Sequence, residues 1–272
     1  MSAAERPRGR QTRIEREELA RGHRPPGEQP TAPRPAATTV VARPLGERFE
    51  VLLLERPTTS RFAAGAFVFP GGVVDDDDAG PGWAERLPEV PGAEPGACVA
   101  AIRELFEETG ILLSDERAPA GPLGDARRDL LADRRSFAEV ARDLALSFRG
   151  ARVAYFARWI TPELLARRYD TRFFFAVLPD REDVVSLTPE HTSGLWSAPA
   201  AALARFRTGE LPMLFPTWKT LETLAGHRSL EEALSAMRAA TVRTVTPKLE
   251  VSGGSVRPLM PGDPGYEEAE RA

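Results

Sequence analysis

The stretch ACVAAIRELFEETG, residues 97–110, constrains the fold of this chain more than any other part of the sequence. At about 100° per residue, one face of a helix over these residues is apolar and must meet a core. That face carries Cys98, Ile102, Leu105, Phe106 and Thr109. The opposite face carries Arg103, Glu104, Glu107 and Glu108. The helix is predicted to end at Gly110, a residue suited to the C′ position.

The acidic face of this helix admits two interpretations. Glu104 lies three positions before Glu107 and four before Glu108, so the three carboxylates are neighbours and repel one another. Either water solvates the whole face, as is usual for Glu-rich helices, or a divalent cation neutralises it. Carboxylate oxygens suit Mg²⁺ or Mn²⁺, and Arg103 would brace one of the carboxylates.

A glycine turn upstream favours the metal interpretation. The segment GAFVFPGG, residues 65–72, is predicted to be a short strand that ends at Pro70 and two glycines. Glycine has no side chain, so its backbone carbonyl can come close to a metal or a phosphate. The carbonyl of Gly72 is therefore a further candidate ligand.

Strands and helices alternate along the rest of the chain. Strand composition marks AATTVVARP, FEVLLLERP, RVAYFARWI and TRFFFAVLP, and helical spacing marks residues 123–149. Neither a GxGxxG motif nor a P-loop occurs, so the sequence supports no Rossmann or P-loop site. We expect an α/β domain over residues 37–240, a disordered polar tail over 1–36 and a C-terminal tail over 241–272.

Amino-acid composition bears on the binding partners of the protein, on its location and on membrane association. The net charge is −4 and the pI is about 5.6, which argues against a general nucleic-acid binder. Only Lys219 and Lys248 of the 36 basic residues are lysines, so arginine is expected to make any phosphate contact. The single cysteine, Cys98, excludes an intramolecular disulfide and favours a cytoplasmic location. No apolar run reaches the ~18 residues of a membrane span.

The two motifs together resemble the box of the Nudix hydrolase family, G-x5-E-x7-R-E-U-x-E-E-x-G-U, in which U is apolar. The second half of the box is complete, with Arg103, Glu104, Leu105, Glu107, Glu108, Gly110 and Ile111 at its specified positions. The first half keeps Gly72, preceded by the family's frequent FPG. The box sets its arginine 14 positions after its glycine, whereas here the separation is 103 − 72 = 31, an excess of 17.

The excess displaces the early Glu of the box. Counted back from the arginine, Pro95 stands at its position, Glu94 lies one position away, and Asp75–Asp78 are other candidates for its acidic role. The simplest interpretation of the aspartate run is a solvated loop. We hypothesise that the insertion, residues 73–96, forms a lid or rim that shapes substrate access.

An insertion at this place resembles the coenzyme A diphosphatase-like subgroup. The stretches LLLERPTTSRFAAGAFVFPGG and RWITPELLARRYDTRFFFAVLP are also similar to that subgroup. The resemblance implies an α/β/α sandwich around a mixed β-sheet, with an additional helical segment. It also implies Mg²⁺- or Mn²⁺-dependent hydrolysis of a nucleoside diphosphate derivative, with coenzyme A or acyl-CoA as the best candidate. The alternatives are an ADP-ribose or dinucleotide pyrophosphatase and a non-catalytic nucleotide-binding module.

The resemblance also suggests roles for single residues. It implies that Glu107 and Glu108 are the main metal ligands, with Glu104 and the Gly72 carbonyl completing the shell, and that Arg103 orients a carboxylate. Outside the box, Glu190 resembles a late metal ligand or general base of the family, and the alternative is an ordinary glutamate of a surface loop. Arg56 and Arg168 are candidates for phosphate contacts or for ordinary ion pairs. Asp170 would fix Arg168 or cap a turn.

The remaining expectations concern the surroundings of the site and the partners of the chain. His191 is expected at the surface, and Trp159 and Trp196 in the core. The expected partner is a small nucleoside diphosphate derivative, with no nucleic acid or membrane, and a homodimer is compatible with the sequence.

Overall fold

A computed structural model describes residues 24, 28–60, 63–115, 119–178, 187–252 and 255–269. Its strands are β1 (Arg34–Leu45), β2 (Arg48–Glu55), β3 (Phe67–Val68), β4 (Gly71–Val73), β5 (Arg152–Ile160), β6 (Tyr169–Val177), β7 (Ser193–Ser197), β8 (Thr244–Val245), β9 (Lys248–Ser252) and β10 (Ser255–Leu259). A 3₁₀ helix spans Asp76–Ala79, and the α-helices are α1 (Pro95–Thr109), α2 (Ala120–Leu131), α3 (Phe137–Asp143), α4 (Pro199–Arg207), α5 (Phe215–Ala225) and α6 (Leu230–Ala239).

The main sheet is mixed, as the sequence predicted. Its strand order is β3-β2-β1-β6-β5-β8, with β4 paired to β1 and β7 paired to β2. Strands β1 and β6 run parallel, whereas β2 and β4 both pair antiparallel to β1. In this register Ala37 lies opposite both Gly72 and Arg172, so the glycine turn is hydrogen-bonded to the strand at the middle of the sheet.

Helices cover both faces of the sheet and give a three-layer sandwich. Side chains of β1 point to the two faces of the sheet, so that Ala37 and Val41 lie in one core and Val40 and Ala42 in the other. The first core contains the apolar side of α1, and the second contains residues of α4, α5 and α6. The predicted α/β class is therefore confirmed.

Helix α1 begins two residues before its predicted start and ends where the sequence placed its end. Pro95 occupies its first position, where no backbone N–H is needed. Gly110 ends it in the left-handed conformation with φ of 78°. Its apolar residues are buried as expected, but so are Arg103 and Glu108 on the opposite side. The acidic face is therefore not the solvated face of an ordinary surface helix.

Three of the four aspartates in the insertion are exposed, as expected for a solvated loop, but the fourth is buried. Asp78 is 2% exposed, and its carboxylate accepts a hydrogen bond from the Asp75 N–H at 2.9 Å. Trp83 is also buried and stacks on Phe137 of α3, with 5.5 Å between ring centroids. The Trp83 indole donates to the Asp77 carbonyl at 3.1 Å. These contacts join the insertion to the core beneath α1.

The two predicted tails and the predicted helical segment all contain elements of the fold. Most of the 1–36 tail lies outside the described residues, and β1 begins within it at Arg34. The helical segment 123–149 contains most of α2 and all of α3. The C-terminal segment 241–272 contains β8 and the β9–β10 hairpin. None of the helices in the described ranges has the length and apolar character that a membrane crossing requires.

Candidate active site

The two halves of the sequence motif meet in space at Gly71 and Gly72. A Cβ atom on Gly72 would lie 2.3 Å from Oε1 of Glu104, and one on Gly71 would lie 2.4 Å from the Ala37 carbonyl oxygen. Gly71 therefore requires glycine, because a side chain there would collide with backbone, whereas a side chain at Gly72 would displace the Glu104 carboxylate. The Gly71 N–H donates to Oε2 of Glu108 at 3.0 Å. The turn thus closes directly over the acidic face of α1, whatever the length of chain between them.

Arg103 lies at the centre of the acidic face. Its Nη1 donates to Oε1 of Glu104 at 2.9 Å and to Oε2 of Glu107 at 3.2 Å. Its Nε and Nη2 donate to the two carboxylate oxygens of Asp78 at 3.0 and 2.8 Å, and Nη2 also reaches the Val73 carbonyl at 2.8 Å. One guanidinium therefore orients two carboxylates of its own helix and is itself held by the insertion.

Asp78 is the residue that takes the position of the displaced early Glu. It stands six positions after Gly72, which is the spacing of G-x5-E when the box is counted forward from its glycine. Counting back from Arg103 pointed to Pro95 and Glu94 instead. Glu94 forms its ion pair with Arg172, at 2.7 Å. The extra residues therefore follow the early acidic position, and a forward count would have found Asp78.

Burial dominates the electrostatics of the three glutamates. It raises the pKa of Glu104 to about 7, against the opposing effect of Arg103. It also raises the pKa of Glu107, again opposed by Arg103. The pKa of Glu108 lies well above its ordinary value because of burial and of the charge on Glu104, with the Gly71 N–H opposing both. Ionisation of all three glutamates would therefore place more negative charge in the site than Arg103 offsets.

This donor set fits a hard divalent cation. The groups are carboxylate oxygens, and a cation beside them would relieve the unfavourable burial of their charge. In the ranges that the structure describes, no three acidic, His or Cys side chains form a preformed chelate. Arg103 engages both Glu104 and Glu107, whereas Glu104 and Glu108 lie against the glycine turn. These contacts do not single out any two of the three glutamates, so the ligand roles of Glu104, Glu107 and Glu108 stay predictions.

Two predicted residues from other elements reach the cluster. Arg56 directly follows β2, and its charge lowers the pKa of Glu108. Glu190 is exposed on the loop before β7, and its charge raises the same pKa. Glu108 is therefore within electrostatic reach of one basic and one acidic group from outside the motif.

The phosphate role of Arg168 is not supported. Arg168 is buried, and its guanidinium donates to the carbonyls of Thr161 at 3.0 Å and Thr31 at 2.9 Å. These contacts join the segment just before β6 to neighbouring backbone. Asp170 does not fix Arg168 either, because it accepts from Arg158 at 2.6 and 2.7 Å and pairs with Arg172 at 3.0 Å.

His191 is buried beside the cluster, so its expected surface position is wrong. It is 5% exposed, and its Nε2 lies 3.8 Å from Oε1 of Glu108. No sequence pattern marks a lone histidine in a loop, and only the pairing of β7 with β2 brings it here.

Trp159 is buried as expected, and Trp196 is partly buried with the Arg43 guanidinium 4.0 Å from its ring centroid.

The arrangement can hold a cation and a polyanion together. A cation between the carboxylates and a bound diphosphate would offset the charge of both, and Arg56 adds a positive group at the same place. Cys98 is unsuited to nucleophilic chemistry, because burial raises the pKa of its thiol to about 12. The chemistry that the site supports is metal-assisted attack of water on phosphorus.

Comparisons with known proteins agree with this chemistry. The family model described as the NUDT19 Nudix domain matches residues 94–224. A crystal structure of a NUDIX hydrolase from Alicyclobacillus acidocaldarius is 32% identical, with a TM-score of 0.68, and the match covers 75% of this chain and 96% of that one. Acyl-coenzyme A diphosphatase NUDT19 from Gallus gallus is 28% identical, over 83% of this chain and 75% of that protein. The Homo sapiens protein of the same name is 27% identical, over 86% and 77%.

Proposed function

The chain belongs to the Nudix hydrolase family, and we propose that it cleaves the diphosphate of coenzyme A or of an acyl-coenzyme A. The single observation that carries hydrolysis is the closure of Gly71–Gly72 over the carboxylates of Glu104 and Glu108. The substrate class is supported by relatives named acyl-coenzyme A diphosphatase that match most of the length of both chains. The insertion, which the sequence associates with that subgroup, supports it further.

Members of this family need a divalent metal, and we assign Mg²⁺ or Mn²⁺ to this site because its donors are oxygens. When bound, such an ion offsets the charge of the diphosphate and lowers the pKa of water. Glu104, Glu107 and Glu108 would hold it, with the Gly72 carbonyl nearby. Arg103 keeps Glu104 and Glu107 in place and is itself held by Asp78.

The remaining roles follow from position. Arg56, beside Glu108, binds a phosphate oxygen of the substrate. Glu190 is exposed at the rim of the cluster, where it can take the proton of the attacking water. Attack on one phosphorus breaks its bond to the bridging oxygen. With coenzyme A the products are adenosine 3′,5′-bisphosphate and phosphopantetheine, the second of which keeps any acyl group.

The test is a substrate panel with product analysis. The purified full chain is incubated with Mg²⁺ or Mn²⁺ and with free and acylated coenzyme A, ADP-ribose, NADH and diadenosine polyphosphates. We expect the coenzyme A substrates to be cleaved fastest and to give the two products named above. Glu108→Gln should lower the rate by about a hundredfold or more. Glu89→Gln, which changes an exposed glutamate of the insertion, should leave the rate unchanged.

Two results would overturn parts of the proposal. Faster cleavage of ADP-ribose or of a dinucleotide would keep the hydrolase but replace its substrate class. Absence of any metal-dependent cleavage, with retained nucleotide binding, would identify a non-catalytic nucleotide-binding module.

A further inference from the structure

His191 lies against the acidic cluster, and its backbone is hydrogen-bonded to neighbouring segments. Its backbone N–H donates to the Thr188 carbonyl at 3.1 Å, and the next residue, Thr192, donates to the Glu55 carbonyl at 2.8 Å. Its side chain is only 1% exposed. These backbone contacts therefore place His191 at the end of β2, and its imidazole is shielded from solvent.

The two ring nitrogens of His191 have different surroundings. Nε2 faces Oε1 of Glu108 at 3.8 Å. Nδ1 is buried and has no hydrogen-bond partner in the part of the chain that the structure describes. A proton on Nε2 faces a carboxylate acceptor, whereas one on Nδ1 faces none, so the N–H belongs on Nε2.

Glu108 is contacted from two directions. Its Oε2 accepts from the Gly71 N–H at 3.0 Å, and its Oε1 faces His191. The Gly71 N–H is the one donor in hydrogen-bond range, and a single donor leaves a carboxylate free to rotate. A second donor at Nε2 of His191, on the other oxygen, would fix its plane. The separation of 3.8 Å exceeds a hydrogen bond, and a shift below ~1 Å brings the pair into range.

We propose that His191 is a positioning residue whose Nε2–H orients the Glu108 carboxylate toward the divalent cation. The inference rests on the metal site of the proposed function. It assigns His191 no contact with substrate, and it differs from a space-filling role because it requires a donor at the Nε2 position. Partners of this kind typically change metal affinity or activity by about ten- to a hundredfold when they are removed.

The test compares His191→Gln with His191→Asn. The Gln amide nitrogen reaches the place of Nε2, whereas the shorter Asn amide reaches only that of Nδ1, and both keep a polar group in the cavity. The first measurement is Mn²⁺ affinity without substrate, from the electron paramagnetic resonance signal of free Mn²⁺. The second is kcat and KM with coenzyme A. His227→Gln, at a histidine that follows α5 and faces Glu232, is the control.

We expect His191→Asn to weaken Mn²⁺ binding and to lower kcat by about ten- to a hundredfold, with KM changed by less than about twofold. His191→Gln should stay within about threefold of the wild type in both measurements, as should the control. Equal defects in both His191 variants, or wild-type Mn²⁺ affinity in His191→Asn, would overturn the inference. Urea unfolding of each variant shows whether a defect is one of folding, and an unfolded His191→Gln protein also counts against the role.

Mn²⁺ affinity tests the role of His191, whereas cleavage of coenzyme A tests the hydrolase function, so the two can fail independently. If Mn²⁺ affinity falls in His191→Asn but not in His191→Gln, and the protein cleaves no diphosphate, the role of His191 is supported and the hydrolase function is rejected. If the protein cleaves coenzyme A and both His191 variants bind Mn²⁺ as the wild type does, the hydrolase function is supported and the role of His191 is rejected.

Discussion

Asp78 and Arg103 form a bidentate ion pair between the insertion and α1. Nε of Arg103 lies 3.0 Å from Oδ1 of Asp78, and Nη2 lies 2.8 Å from Oδ2. Their side chains are 2% and 7% exposed, so water screens the pair very little. This ion pair thus links α1 to a residue 25 positions earlier, near the start of the insertion.

We expect Asp78→Asn to destabilise the protein and to slow it. The substitution leaves the buried Arg103 charge without its bidentate partner, so the free energy of unfolding should fall by about 3 kcal/mol. The released guanidinium no longer holds Glu104 and Glu107 in place, and kcat should fall by about tenfold or more. Urea unfolding and steady-state kinetics measure the two effects.

The matched control for Asp78→Asn is Asp76→Asn, in the same 3₁₀ helix. Asp76 is exposed, so its substitution should change the free energy of unfolding by less than about 0.5 kcal/mol. Equal stability of the Asp78 and Asp76 variants would mean that the buried pair contributes nothing to the fold.

We expect Gly72→Ala to lower the catalytic activity strongly and to change the stability of the fold only slightly. The new Cβ atom would stand 2.3 Å from Oε1 of Glu104, so that carboxylate must turn away from the site. We expect kcat/KM to fall by about tenfold or more. Gly124→Ala is the control, because Gly124 lies within α2 and nothing stands within 4 Å of its added Cβ. The control should keep its activity and gain about 0.5–1 kcal/mol of stability.

Without metal, the wild type should lose stability relative to Glu104→Gln as the pH rises from 4.5 to 7. The folded pKa of Glu104 is raised from 4.5 to about 7, so in this window this carboxyl binds more protons in the folded state than in the unfolded state. The difference in free energy of unfolding between the wild type and Glu104→Gln, which does not titrate there, should therefore fall by about 1–3 kcal/mol as the pH rises.

Urea unfolding in EDTA at several pH values measures this difference. Saturating Mg²⁺ should abolish it, because a bound cation stabilises the charged carboxylate. Parallel stability curves for the wild type and Glu104→Gln in EDTA would show that the burial of this carboxyl is not unfavourable.

Deletion of residues 77–92 should unfold the protein instead of changing its substrate preference. A lid would leave the fold intact when it is removed, but this deletion takes away Asp78 and Trp83, both buried. Trp83→Ala alone should lower the free energy of unfolding by about 3–5 kcal/mol. Thermal unfolding followed by circular dichroism tests both variants, and a stable deletion protein with altered preference would restore the lid hypothesis.

The sequence predicted the parts of the site that depend on local periodicity. The spacing of α1 identified its buried face, and the glycine pair identified the turn that meets it. Periodicity shows which face is apolar, but not that other segments cover the opposite face. The burial of Arg103 and Glu108 depends on β4 and on the insertion, so it could be found only in three dimensions.

Long-range pairing explains the residues that the sequence misplaced. His191 is buried because β7 pairs with β2, and Arg168 is occupied because the start of β6 lies beside Thr31. Neither contact leaves a trace in the neighbouring sequence. The cytoplasmic location and the homodimer stay predictions, as do the individual ligand roles.

The place where the extra residues join the box has a practical consequence for recognising proteins of this type. Because they follow Asp78, a search pattern with a fixed distance from glycine to arginine rejects this chain, and so does one that demands Glu at the sixth position after the glycine. A pattern that accepts Asp there, and a spacer of any length before the REUxEE segment, retains it. Genome surveys with the rigid pattern would undercount such hydrolases, and the flexible pattern would recover them.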